Sequence, residues 1–106
     1  MTPGRFDDVL LSPKRFRICA ILLPADEVAF SLVRDDLHVT DSALSKNLRI
    51  LQDHGYLVIT KTTRSSQAAT WISLTATGRH RMLDHLRALS DLAADISCND
   101  CPRIRK

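Results

Sequence analysis

The chain has 106 residues and a hydrophobic fraction of 44%, which suffice for one compact domain with a buried core and exclude disorder throughout. Its formal charge of +3 is a mild basic excess, compatible with a nucleic-acid partner but not proof of one. No apolar run approaches the roughly 20 residues that a membrane span needs, and the N-terminus lacks the apolar core of a secretory signal, so we expect a soluble cytoplasmic protein.

The first clear helix is predicted at about 13–23. Ser12 can cap its start with a hydroxyl, and Pro13 suits the first helical position because that position needs no N–H. Residues 1–11 begin loosely and form either a short helix or an arm. Cys19 lies among apolar residues, so we expect a small core residue rather than a reactive thiol.

A second, shorter helix is predicted at about 31–37, with Ser31 as its cap. The segment 28–30 before it is short enough to be a minor edge strand. His38–Val39 then links this helix tightly to a third one. Two short helices joined by a turn of three or four residues are typical of a helix-turn-helix, in which the second helix reads DNA.

The third helix lies within 40–56, and the rest of the chain is organised around it. Thr40 or Asp41 can cap its start, and Gly55 can supply the left-handed residue that ends it. Residues spaced four and three apart form an apolar stripe: Leu44, Leu48 and Leu51. Another face carries short hydroxyls and two cations: Ser42, Ser45, Lys46 and Arg49. Such a helix can lie in a DNA major groove, although an ordinary solvated helix would show the same pattern.

A β-hairpin is predicted after the third helix. Its strands are 56–63 and 68–74, rich in β-branched residues, and 64–67 is a polar turn. Lys61 and Arg64 lie near the tip. A bare hairpin tip is usually a solvated loop, but directly after a helix-turn-helix it is expected to be a wing that touches the phosphate backbone or minor groove.

The last helix is predicted at about 75–95. A heptad-like seam follows a four-three-four-three spacing along it: Met82, Leu86, Leu89, Ala93 and Ile96. A helix of about 20 residues spans roughly 30 Å, which is longer than this small domain can easily cover. We therefore favour a dimer seam over packing on the same domain. Residues 97–106 are interpreted as a separate basic tail.

Four motifs in this order resemble those of the winged helix-turn-helix transcriptional regulators, in particular a small, one-domain branch related to the MarR and ArsR groups. The first-helix entry is LSPKRFRI at 11–18, and the recognition helix is DSALSKNL at 41–48. The exit into the wing is LQDHGYL at 51–57, and the strand-to-helix signature is WISLTATGR at 71–79. The resemblance covers about residues 9–94.

The resemblance implies an α+β, mostly α fold: a winged helix-turn-helix with a two-stranded wing and a long C-terminal dimerisation helix. It further implies a homodimer that binds a roughly palindromic operator in double-stranded DNA and usually represses. Residues 1–96 would form the DNA-binding domain and 97–106 the tail. This sequence departs from the family pattern at Asn47, where relatives often have His, and at 65–67, which lack an arginine-rich run.

The candidate DNA-binding residues fall into two groups by expected role. Four are candidates for base edges and nearby phosphates: Ser42, Ser45, Lys46 and Asn47. Among these, Asn47 suits adenine and Lys46 suits guanine. Four more are expected to hold phosphates, which position a protein without specifying sequence: Thr40, Arg49, Lys61 and Arg64. Cations at the start of the first helix either add charge or are simply solvated: Lys14, Arg15 and Arg17.

Other functional classes have weaker support in the sequence. An enzyme is not expected, because there is no glycine-rich phosphate loop and no nucleophile with a His and acid set. No cofactor is expected either. A metal- or thiol-responsive regulator is the second hypothesis, because Cys98 and Cys101 have the spacing of half a zinc or redox site. His80 or His85, of the same or a partner chain, could complete such a site, and a free-thiol tail is the alternative. A winged helix that binds protein instead of DNA remains a third interpretation. A small effector would have to use the dimer seam, the adjoining cleft or the tail.

Overall fold

A computed structural model describes the backbone of residues 4–64 and 67–104, and the side chains of 4–63 and 68–96. It has the predicted α+β, mostly helical architecture, in which a small antiparallel sheet packs among the helices. A short 3-10 helix, Asp8–Leu11, precedes the other elements. In chain order these are α1 (Pro13–Leu22), β1 (Val28–Ala29), α2 (Phe30–Leu37), α3 (Asp41–Asp53), β2 (Leu57–Arg64), β3 (Gln67–Leu74) and α4 (Ala76–Ile104).

Side-chain hydroxyls cap three of the four helices. Ser12 Oγ accepts from the Arg15 N–H at 3.4 Å, and Thr40 Oγ1 accepts from the Ala43 N–H at 3.1 Å. Thr75 Oγ1 accepts from the N–H of Gly78 at 2.9 Å. Each bond satisfies an amide that the first helical turn leaves without a partner. The caps predicted at Ser12 and Thr40 are therefore confirmed.

The predicted Ser31 cap is wrong. Helix α2 begins one residue earlier, at Phe30, and its N-cap is Ala29, which makes no side-chain cap bond. The reason is the sheet, because Ala29 still pairs with Trp71 of β3. The chain thus passes directly from an edge strand into a helix, and pairing rather than a hydroxyl sets the boundary.

A three-residue turn, 38–40, joins α2 to α3. His38 has a φ of 56°, in the left-handed region. Its N–H donates to the Asp35 carbonyl at 3.3 Å, and the Val39 N–H donates to the Arg34 carbonyl at the same distance. These bonds satisfy the last carbonyls of α2 while the chain reverses. The predicted helix-turn-helix is confirmed.

Helix α3 ends in a Schellman motif at Gly55. The Gly55 N–H donates to the Gln52 carbonyl, and the Tyr56 N–H donates to the Leu51 carbonyl, both at 2.9 Å. Gly55 has a φ of 78°, which a residue with a side chain adopts only under strain. The predicted helix end is therefore confirmed at the residue named for it.

The sheet has the order β1-β3-β2, and both pairings are antiparallel. The β2–β3 register runs from Leu57 opposite Leu74 out to Arg64 opposite Gln67. The turn predicted at 64–67 was thus too long, because its two outer residues belong to the strands.

The core joins the helices to the inner face of the sheet. It includes the predicted apolar stripe of α3 and residues from every helix: Leu10, Ile18, Cys19, Leu22, Val33, Leu44, Leu48, Leu51, Tyr56, Leu57, Ile72 and Met82. Cys19 is fully buried, as predicted. Burial first, and then the nearby charge of Asp7, raises the pKa of its thiol to about 12.

The structure of helix α4 differs from the prediction in two respects. It continues through Ile104 rather than ending near residue 95, although Pro102, which has no backbone N–H to donate, lies close to its end. Met82, assigned to the dimer seam, is fully buried in the core of its own chain, and Leu86 packs partly against that core. The side chains of the predicted tail, 97–106, lie outside the described residues.

No helix in the described ranges, 4–64 and 67–104, combines the length and apolarity needed to cross a membrane.

A buried polar network ties the N-terminal segment to the end of α3 and to α4. The Tyr56 hydroxyl donates to Asp7 Oδ2 at 2.5 Å, and the Val9 N–H donates to Asp7 Oδ1 at 2.9 Å. The Asp7 N–H donates to His85 Nδ1 at 3.0 Å. Asp7 and His85 are only 8% and 2% exposed, so each needs these partners. His85 is therefore a core histidine in this structure rather than a free ligand for a metal.

Candidate nucleic-acid interface

The exposed face of α3 carries the polar residues that the sequence assigned to it. Because an α-helix has about 3.6 residues per turn, residues three and four apart share a face. Four exposed side chains follow this rule, on the side opposite the buried leucines: Ser42, Ser45, Lys46 and Arg49. Burial of Leu44, Leu48 and Leu51 anchors the helix and leaves this face to solvent.

A groove separates α3 from the inner face of the sheet, and we call it the helix–wing groove. It encloses about 810 Å³ and is open to solvent. Ser45, Arg49 and Gln52 line it from α3 together with two carboxylates, Asp41 and Asp53. Ile59, Lys61 and Thr70 line it from β2 and β3. Lys61 and Thr70 are paired across the two strands. The groove therefore brings a cation of the recognition helix and a cation of the wing to the same opening.

Ion pairs neutralise much of the acidic charge around α2 and the start of α3. Arg34 contacts Asp41 at 2.9 Å and Asp35 at 3.0 Å, and Arg17 contacts Asp36 at 3.0 Å. The hydrogen bond to Asp41 is the main reason that the pKa of Arg34 is raised. Arg34 is half-buried and its partners are exposed, as are Arg17 and Asp36, so the pairs contribute little to stability. Their effect at the interface is to reduce the repulsion that an incoming polyanion would meet.

Three exposed cations of α3 and the wing are free of such pairs. Within the described side chains, Lys46, Arg49 and Lys61 make no salt bridge, and each is exposed to solvent. Thr40, the N-cap of α3, is also exposed, and its side-chain oxygen accepts the cap hydrogen bond from the Ala43 N–H. Its hydroxyl hydrogen can still be donated. Seven of the eight sequence-predicted DNA-binding residues have described side chains, and three of these line the helix–wing groove: Ser45, Arg49 and Lys61.

Asn47 does not share the exposed face of α3. It lies five residues after Ser42, so helical geometry turns it about 140° away, toward α1. Its Nδ2 donates to the Ala43 carbonyl at 3.2 Å, and its Oδ1 accepts from Arg15 Nη1 at 3.4 Å. The side chain is half-buried and its amide is engaged within the chain. The helical spacing alone already indicated that Asn47 and Ser42 do not share a face.

Two other predicted groups cannot be placed on this surface. The side chain of Arg64 lies outside the described residues, although its backbone belongs to β2. The side chains of Cys98 and Cys101 lie outside them as well. Among the side chains that the structure does describe, no group of three His, Cys, Asp or Glu residues is arranged to hold a metal ion.

Sequence analysis missed Gln52 and the role of Arg34. Gln52 is exposed and lines the helix–wing groove. It lies seven residues, or about two turns, after Ser45, so its position on the same face could have been found from spacing. The pairing of Arg34 with Asp41 depends on how the turn folds α2 against α3, and the sequence gives no local signal for it.

Comparison with known proteins agrees with this geometry. A family model described as a winged helix DNA-binding domain matches residues 14–93. An uncharacterised protein of Methanocaldococcus jannaschii is 25% identical over 84 residues, which is 79% of this chain and 91% of that protein.

Two solved structures illustrate the likeness in fold. A transcriptional regulator homologue from Pyrococcus horikoshii OT3 is 24% identical with a TM-score of 0.78, covering 83% of this chain and 87% of that one. Bacillus subtilis PadR in complex with operator DNA is 16% identical with a TM-score of 0.62, covering 72% of this chain and 48% of that one.

The match to the family model extends from α1 into α4 and includes α3, the sheet and the helix–wing groove. It covers well over half of the 106 residues and supports a DNA-binding regulator of transcription. The chain belongs to the winged helix DNA-binding domain family.

Proposed function

We propose that this protein is a sequence-specific transcriptional repressor that binds a palindromic operator as a homodimer. One observation carries the proposal: Ser45 and Arg49 of α3 share an open groove with Lys61 of the wing, next to the exposed Ser42 and Lys46 of the same helix face. A DNA duplex presents base edges in its major groove beside a line of phosphates. A helix and a strand that offer cations to one opening can engage both features together.

In the proposed complex α3 enters the major groove. Lys46, Ser42 and Ser45 face the base edges, and Lys46 suits the two acceptors of guanine. Asn47 has no base contact in this proposal, because its amide is engaged by α1 and by its own helix. Sequence preference therefore rests on the lysine and the two serines.

The phosphate contacts come from both walls of the groove. Arg49 and Thr40 belong to α3 and its cap, and Lys61 belongs to the wing. Arg64 is proposed as a further contact from its sequence position at the end of β2. Contacts of this kind position the protein on any duplex and make binding depend on salt.

The proposed dimer uses the exposed part of α4. Leu89 and Ile96 are 37% and 48% exposed, and Leu92 beside them is 46% exposed. Ala93 lies on the same face and is also exposed. A helix of 29 residues spans about 44 Å, so α4 extends well past the core that covers Met82. A second copy that covers this apolar face would present two α3 helices to successive major grooves about 34 Å apart.

PadR, a winged-helix neighbour, has been observed on operator DNA, and this supports DNA as the partner here. Repression follows from occupancy, because a bound dimer denies the operator to other proteins. The proposal contains no catalytic step and no effector.

The test is selection of bound sequences from a random DNA pool, followed by titration of the selected duplex against salt. Wild type is compared with Lys61→Ala and Arg49→Ala. Each variant should flatten the slope of log affinity against log salt by about 0.9 unit, the value of one phosphate contact. Arg87→Ala is the control, since it removes the same charge from an exposed residue of α4 that pairs only with Asp84.

Three results bear on the proposal. A palindromic selected site with these slope changes would support it. Slopes that change equally in Arg87→Ala would show a general charge effect and contradict the assigned contacts. If no sequence is enriched even at low salt, the DNA-binding proposal fails, and a protein-binding winged helix becomes the better interpretation.

A further inference from the structure

Arg15 and Asn47 connect three elements behind the proposed DNA-binding face. Arg15 Nε donates to the Val9 carbonyl of the 3-10 helix at 2.8 Å. Its Nη1 donates to Asn47 Oδ1 on α3 at 3.4 Å. Asn47 Nδ2 in turn donates to the Ala43 carbonyl, one turn earlier, at 3.2 Å. The contact therefore runs from the N-terminal segment through α1 to the first turns of the recognition helix.

We propose that Arg15 and Asn47 are a positioning pair that sets the rotation of α3 about its own axis, and thereby decides which side chains face DNA. The inference rests on the proposed function, since it assigns no DNA contact to either residue. It replaces the interpretation of Asn47 as a base reader and of Arg15 as an added surface charge.

The physical reason is that, apart from the Arg34–Asp41 ion pair at its first turn, the contact surface of α3 is apolar. Leu44, Leu48 and Leu51 bury it through contacts that have no preferred direction. A hydrogen bond depends on direction, and the guanidinium group presents its donors in a rigid plane. The Arg15–Asn47 contact therefore adds the angular restraint that the leucines lack.

The required accuracy can be estimated from helix dimensions. A side-chain tip about 6 Å from the helix axis moves by about 1 Å when the helix rotates by about 10°. Hydrogen bonds tolerate a spread of only about 0.5 Å in length. A small rotation of α3 would thus weaken the base contacts of the short side chains Ser42 and Ser45, while contacts through long, flexible cations would adjust.

The pair is tested with Arg15→Lys, Asn47→Ala and the double variant. Lysine keeps the charge at residue 15 but lacks the fork that reaches Val9 and Asn47 together. Arg17→Lys is the matched control, because Arg17 lies on the same helix and pairs only with the exposed Asp36. The measurements are the dissociation constants for the selected operator and for an unrelated duplex at the same salt concentration.

Each single variant should weaken operator binding about fivefold, the value of a coupling of about 1 kcal/mol. Binding to the unrelated duplex and the salt slope should stay unchanged. The double variant should be no weaker than the weaker single variant, because either change breaks the same contact. Arg17→Lys should match wild type. The ratio of the two affinities corrects for any unfolded fraction, since unfolding lowers both equally.

Several outcomes would overturn the inference. Wild-type affinity in Arg15→Lys would show that only the charge matters. Multiplied losses in the double variant would show that the residues act separately. A new base preference at one operator position in Asn47→Ala would make Asn47 a direct reader. A wild-type chain that binds no DNA would overturn the proposed function as well, whereas these other results leave it standing.

Discussion

Replacing Tyr56 with phenylalanine tests the buried network by removing one oxygen. The phenol donates to Asp7 Oδ2 at 2.5 Å, and Tyr56 is 6% exposed. Phenylalanine keeps the ring and its packing. The carboxylate of Asp7 would retain the Val9 N–H but lose its other donor in a site that admits little water.

The expected cost follows from the charge of the acceptor. Hydrogen bonds to charged groups contribute about 1.5–3 kcal/mol, so we expect Tyr56→Phe to lower the free energy of unfolding by about 2 kcal/mol. For a domain of this size about 1 kcal/mol corresponds to about 4–8 °C in Tm. The variant should therefore melt roughly 10 °C below wild type.

Thermal melting followed by circular dichroism at neutral pH measures this difference. Ser90→Ala is the control, since it removes an exposed hydroxyl from α4. In an Asp7→Ala background the tyrosine change should cost much less, because its partner is gone. The assigned hydrogen bond would be refuted if Tyr56→Phe lowered the free energy of unfolding equally in wild type and in Asp7→Ala. A Tm of Tyr56→Phe within about 2 °C of wild type would refute it as well.

Three further predictions concern single residues. Gly55→Ala should lower the free energy of unfolding by about 1–2 kcal/mol in a denaturant titration, because its φ of 78° strains any side chain although an added Cβ meets no neighbour. No change would mean that the helix end adjusts. Cys19 should resist alkylation in the folded chain and react after denaturation, since burial raises the pKa of its thiol to about 12. Peptide mapping by mass spectrometry distinguishes its labelling from that of the other cysteines. Rapid labelling of Cys19 in the folded chain would contradict its burial. The single tyrosine, Tyr56, should ionise near pH 12 rather than near 10, because burial first and then the hydrogen bond and charge of Asp7 raise its pKa. The stability that comes from keeping this phenol protonated is complete below about pH 10 and is lost as the pH rises through 12. Tyrosinate absorbance that appears near pH 10 without unfolding would contradict this prediction.

Sequence analysis succeeded where a local signal is sufficient. The spacing of Leu44, Leu48 and Leu51 identified the buried face of α3, and Gly55 marked its end. A change of hydrophobic period located both strands of the wing. Such features depend on neighbours within a few residues, so the order and type of the elements could be predicted.

Features that depend on distant partners could not be predicted. The start of α2 is set by the pairing of Ala29 with β3. Met82 is buried because the core of its own chain packs against that part of α4. Asp7 gave no signal at all, since its partners Tyr56 and His85 lie 49 and 78 residues away. Asn47 was assigned from its residue type, although its position on the helix already indicated a different face.

The start of α4 lies directly against the end of the recognition helix. The Thr75 N–H donates to the Tyr56 carbonyl at 3.0 Å, and Thr75 Oγ1 donates to the Gly55 carbonyl at 2.6 Å. Gly78 packs so closely that an added Cβ would overlap the same Tyr56 carbonyl. Because this contact joins backbone to backbone, a change of side-chain rotamer cannot absorb a movement of one helix relative to the other. In the proposed dimer α4, which is about 44 Å long, and α3 then move together as one rigid body. A change of tilt at the dimer seam would reach the DNA-binding face as movement of the whole helix.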